Sequence, residues 1–178
     1  MPTTFLHRLR GLPKDERAAT AVEFAILIAP LMFLLLATLQ LGIIFFAQQC
    51  LQSAATASAR QLMTGSVQQQ GLSQTGFQNA VCANAPVLFT CGAIMVDVQS
   101  TSSFSSVSTG SLVPTYDSTG KVTNSWAYSP GGAGDIVIMR VMYNWPVIAA
   151  PLLPGLANQP NGDRLLVATS VFKNEPFQ

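Results

Sequence analysis

Histidine is nearly missing from this chain. Among 178 residues there is one, His7, and it precedes the long apolar run. Beyond that run no imidazole is available, which excludes a Ser-His or Cys-His nucleophile system there. Three cysteines, Cys50, Cys82 and Cys91, do not make a zinc ligand set without histidine partners. Charge is scarce as well: 10% of residues are charged, where a soluble domain has about 25%. The net charge of +1 leaves no basic excess to draw the chain to nucleic acid. Gly131-Gly132-Ala133-Gly134 has no following Lys-Ser/Thr pair, so it is no phosphate loop but a flexible approach to a strand. The later carboxylates, Asp97, Asp117, Asp135, Asp163 and Glu175, are dispersed. A pair of them meeting in space would suit glycosidase chemistry; the plainer roles are solvated strand ends and salt-bridge partners. These absences argue against an enzyme, and no metal or cofactor is expected.

What the chain does have is one long hydrophobic stretch, from Ala18 to about Ala47. About 20 apolar residues suffice to cross a bilayer, and the stretch is too long for the core of a secretory signal peptide, about 7–15 residues. Near its start stands a lone carboxylate, Glu23, after which no charge occurs until Arg60. A charge in a membrane segment is expensive, about 2.5–3.5 kcal/mol for a central Asp, Lys or Arg on insertion scales, so it calls for a partner or a role. Arg8, Arg10, Lys14 and Arg17 outweigh Asp15 and Glu16 ahead of the run. That asymmetry keeps the short basic segment in the cytoplasm and sends the longer, nearly neutral part across. Pro30 is tolerated in a membrane helix.

The helix is expected to continue beyond the membrane. Residues 48–63 carry Leu51, Ala54, Ala55, Ala57, Ala59 and Leu62 at helical spacing, with Gly65 as a C-cap. Ser53/Ala57 and Ala55/Ala59 are small pairs four apart, suited either to close helix packing or to a plain alanine-rich stalk. The expected division is a cytoplasmic leader (1–18), a transmembrane half-helix (19–47), an exported half-helix (48–65) and an α+β domain (66–178).

Within that domain, residues 74–82 read as a short helix. Residues 93–98, 135–143 and 164–172 read as strands, rich in β-branched residues and bounded by Gly, Pro or Asn. A Ser/Thr/Gly-rich stretch, 100–134, is too long for a turn and too polar for core, hence a surface loop or mobile excursion. Pro151-Leu152-Leu153-Pro154-Gly155 forms an irregular connection. If this part is exported, Cys82 and Cys91 are candidates for a disulfide, the alternative being two buried thiols. Cys50 remains unpaired. The fold class is α+β: a long N-terminal transmembrane helix running into a small antiparallel three-stranded sheet. One apolar sheet face is covered by the exported half of the helix.

This pattern resembles the TadE-like minor pilins, or pseudopilins, of tight-adherence (Flp) pilus systems. The similar residues are Ala19-Thr20-Ala21-Val22-Glu23-Phe24-Ala25, Pro30, Leu34-Leu35-Leu36, Gly42 and the helix ending Ala57-Ser58-Ala59-Arg60. Tyr143-Asn144-Trp145-Pro146 and the Asn174-Glu175-Pro176 ending are similar too. The resemblance implies processing by a prepilin peptidase between Ala18 and Ala19, with Glu23 fifth after the cleaved bond and Phe24 beside it in assembly. Family members commonly have Gly before that bond; here it is Ala18, the next smallest residue. The implied partners are the lipid bilayer, other minor pilins or the major pilin, the peptidase and the inner-membrane assembly platform. The implied location is the inner membrane with a periplasmic domain, without catalysis. The rival readings are a membrane-anchored adhesin or binding domain that never enters a filament, and a simple signal anchor on an unrelated exported domain.

Overall fold

The computed structural model describes residues 16–85, 88–106, 110, 112–120, 122–148, 150 and 153–177. Residues 1–15 of the expected leader, Lys121, and Pro151 and Leu152 of the irregular connection lie outside the described residues. The chain forms two compact units, residues 1–40 and 41–178.

Helix α1 runs over Glu16–Met63, 48 residues, through Pro30. Its Ala, Leu, Met and Gln content favours helix. In the first unit its apolar side chains, among them Phe24, Ile26, Leu27, Leu34 and Leu36, are exposed. The helix is long and apolar enough to cross a membrane.

In the second unit, α1 buries Ile44, Ala47, Leu51, Ala55, Ala59 and Leu62, steps of three and four that set one face inward. The alanines leave room for a sheet to approach. Ala55 and Ala59 belong to this core, whereas Ser53 and Ala57 are exposed. The short helix α2, Ser66–Gln69, follows Gly65, whose φ of 77° is left-handed and suits glycine at a helix end. Helix α3, Gln74–Asn84, starts at Ser73, which accepts a hydrogen bond from the Gly76 N–H. This is an ordinary N-cap.

Strands β1 (Met95–Thr101), β2 (Ile136–Trp145) and β3 (Arg164–Lys173) form one antiparallel sheet in the order β1-β2-β3. Val98 faces Met139, and Val141 faces Ala168. Val96, Val98, Val137, Met139, Val141, Tyr143, Leu166 and Ala168 form one core cluster with α1, Phe77 and Val81. Each large side chain so buried contributes about 1.5–3 kcal/mol.

The sequence suggested one apolar sheet face. The central strand has two. Ile136, Ile138 and Met142, on its other side, are also buried, because the unbroken run Ile136-Val137-Ile138-Met139 suits a strand covered on both faces. The Ser/Thr-rich segment contributes to that cover. Leu112 and Val113 share a cavity with Arg140 and Leu165, Pro114 is buried, and the Tyr116 hydroxyl donates to Asn144 Oδ1 and Gln159 Oε1.

Both outer edges of the sheet have company. Residues 127–129 run beside β1: the Val98 N–H donates to the Ala127 carbonyl and the Ser129 N–H to the Val98 carbonyl. Beside β3, Gln48 and Gln52 on α1 donate to the carbonyls of Val167 and Thr169, at 2.9 and 3.4 Å. Covered edges resist pairing with other chains.

Candidate functional site

Glu23 lies in the first unit, on α1, between the exposed side chains of Val22 and Phe24. Ala18 and Ala19 are in the same helix. Four residues of helical rise separate Ala19 from Glu23 by about 6 Å on one face.

The other motif residues meet in the second unit. Arg60 sits exposed in the last turn of α1, where a cation complements the carbonyl end of the helix. Glu175 lines the same groove of about 590 Å³ together with Thr56, Met63, Val171 and Phe172. The Glu175 N–H donates to the Met63 carbonyl at 2.8 Å, satisfying one of the open carbonyls of the helix end. Asn174 is 2% exposed, and its amide donates to the carbonyls of Pro130 and Gly132. Its backbone pairs with Asp135 and Gly134. Phe177 lies on Gly65, where a Cβ would come within 2.3 Å of the ring. The Asn-Glu-Pro ending is thus a latch. It joins the end of α1 to the glycine-rich turn before β2, so that turn is pinned, not flexible. The Asp135 carboxylate also accepts the Gly132 N–H.

Cys82 and Cys91 stand at disulfide distance, with Cα atoms 5.4 Å apart. The bridge ties α3 to the 3-10 turn Cys91–Ala93 ahead of β1. Cys50 is free and half-buried.

Several structural contacts left no local sign in the sequence. Asp97 and Arg140, directly opposed on β1 and β2, form an ion pair at 3.4 Å and are 2% and 6% exposed. Asp97 also accepts the Ala127 N–H and the Gln99 amide. On α3, Gln74 donates to the carbonyls of Val96 and Trp126. One turn later Gln78 donates to those of Cys91 and Ile94. The available signals were an Asp and an Arg within strand segments and two glutamines four apart.

Burial pushes the Tyr128 phenol above its usual range, with its hydroxyl donating to the Leu72 carbonyl. Burial raises Tyr116 too, opposed by its bond to Asn144 and reinforced by the Asp163 charge. It also raises Asp163, opposed by the Asn161 amide. Among the described residues no cluster of three metal-ligating side chains occurs.

One long apolar helix leads into a small antiparallel α+β domain in which Cys82 and Cys91 stand at disulfide distance. Residues 18–60 match the model of the family described as TadE-like protein, the family that the sequence motifs resemble. The match covers Ala18, Ala19, Glu23, Phe24 and Arg60. No curated protein and no solved structure matches the chain.

Proposed function

We propose that the protein is a minor pilin or pseudopilin acting in the assembly of a Tad (Flp) pilus for adhesion, with a structural rather than catalytic part. The observation that carries this reading is Glu23: a lone carboxylate among exposed apolar side chains within the family-matched helix. In this reading residues 19–47 span the inner membrane, 48–65 emerge from it, and 66–178 form a periplasmic domain. Prepilin peptidase cuts between Ala18 and Ala19. The new Ala19 amine, its own or a neighbouring subunit's, then pairs with Glu23. An ammonium and a carboxylate brought together lower each other's burial cost, and the pair sets the register in which subunits dock. Partners are other minor pilins or the major pilin and the assembly platform.

Glu23→Gln and Glu23→Ala test this, with Ala18→Arg as a processing block. All three are expected to insert at normal levels yet lower piliation, scored by counting filaments. Full piliation in all three, with cleavage absent in the last, sinks the pairing mechanism. Crosslinking from the Glu23 helix to other pilins separates a filament subunit from a solitary anchored adhesin.

A further inference from the structure

We propose that the pocket between α3, the Cys91–Ala93 turn and the Trp126 segment binds a neutral pyranose sugar. The pocket has a volume of about 590 Å³, within the range of small-molecule sites, about 300–1,000 Å³. Among its described lining residues the one formal charge is the carboxylate of Asp163, which repels an anionic ligand. What it does offer is amides and hydroxyls, including Asn124, Asn144, Thr75 and Ser125, around a single indole, Trp126. Amides and hydroxyls both donate and accept. That set suits a ligand whose own polar groups do the same while one face presents only C–H. A hexopyranose has this form: a ring of hydroxyls with an apolar face that lies flat on an indole.

The second argument is rigidity. Aromatic platforms bind well when their ordering is complete before the ligand arrives. Three tertiary bonds fix the backbone beneath Trp126. Gln74 donates to the Trp126 carbonyl, the Ala127 N–H donates to the buried Asp97, and the Ala127 carbonyl accepts from Val98. The facing wall is fixed as well, by Gln78 on the carbonyls of Cys91 and Ile94 and by the Cys82–Cys91 bond.

This inference stands apart from the pilus reading, and its test does not involve filaments. The full chain in detergent micelles is titrated with glucose, galactose, mannose and N-acetylglucosamine, with sialic acid and glucose-6-phosphate as anionic probes. Binding is read by saturation-transfer NMR at about 10 mM sugar, enough to populate a complex with a Kd of about 1 mM. The expected result is transfer to the C–H protons of at least one neutral sugar, lost at least tenfold in Trp126→Ala and reduced less in Trp126→Phe. Gly92→Phe supplies an independent arm. Gly92 lines the pocket, and a Cβ there meets nothing within 4 Å, so a side chain has room to start at the pocket wall; an unchanged urea midpoint checks that the fold is kept. This change too is expected to abolish transfer. The proposal is overturned if no neutral sugar binds, if the anionic probes bind better, or if Gly92→Phe binds as well as the unaltered chain.

Discussion

Removing one partner of the Asp97–Arg140 pair should cost far more than removing both. Asp97 is 2% exposed and Arg140 6%, so Asp97→Ala removes the carboxylate opposite a buried guanidinium. Breaking such a pair from one side costs about 3–5 kcal/mol. Total domain stability is only about 5–15 kcal/mol, so the single variant is near the limit of folding. The double variant Asp97→Val/Arg140→Met removes both charges and keeps apolar volume. Its remaining loss is the Asp97 acceptor for the Ala127 N–H and the Gln99 amide, about 1–3 kcal/mol for an unsatisfied buried group. Asp97→Ala loses the same acceptor, so that penalty cancels and the double variant is expected to be the more stable by up to about 3–5 kcal/mol, the cost of the one-sided break. Urea unfolding of the full chain in micelles, followed by tryptophan fluorescence, measures this. With a slope of about 2 kcal/mol per molar urea, Asp97→Ala shifts the midpoint down by about 2 M. A shift under about 0.5 M on the same slope, or a double variant as unstable as the sum of the singles, refutes the assignment of this pair as a buried, mutually dependent unit.

The latch predicts that Gly65→Ala destabilises by more than about 1 kcal/mol, because φ is 77° and the new Cβ meets Phe177. Phe177→Ala should remove much of that excess penalty, which the same denaturation curves will show. Replacing Cys82 and Cys91 by Ser should cost about 2–4 kcal/mol, and mass mapping of non-reduced peptides should find the 82–91 link; two alkylatable thiols in exported protein would falsify it. Deleting residues 164–177 removes β3 and the latch together and should lead to degradation, and normal accumulation of a protease-resistant product counts against the role given to the strand. For Asp163, burial raises the carboxyl above its ordinary 3.8. The folded state then favours the protonated form, so its contribution to stability is fullest below the unfolded pKa and falls as pH rises through the folded one. Asp163→Asn should flatten that part of the stability–pH curve, and an unchanged curve contradicts the shift.

The architecture was legible because its signals are local. An apolar run with a lone carboxylate, helical spacing in residues 48–63, and three β-branched segments each announce themselves within a dozen residues. All three strands appear close to their expected bounds. The contacts that finish the fold are not local. Asp97 and Arg140 are 43 residues apart; Asp97 read as a solvated strand end or a salt-bridge partner, with no local sign of which cation it would meet. The second apolar face of β2 was hidden because a four-residue run such as Ile136-Val137-Ile138-Met139 has no periodicity to show which face is covered. Asn174 carried a family resemblance but no physical account until its amide was seen on the Pro130 and Gly132 carbonyls. Nor does composition reveal that Trp126 sits on three tertiary bonds inside a stretch that reads as a polar loop.

The latch also bears on the order in which the molecule is made. The N-terminal part of a chain emerges first, so α1 is present while its own end still lacks Glu175 and Phe177. The sheet lacks β3 until residues 164–173 follow. The core cannot close until the ribosome has passed residue 177, although the membrane helix is ready much earlier. A chain stopped before residue 164 thus carries α1 and an open core, with β2 paired to β1 alone and the Met63 carbonyl lacking the Glu175 N–H. The fold thereby depends on the elements made last: a chain lacking residues 164–177 has the most open core and is the most exposed to proteases.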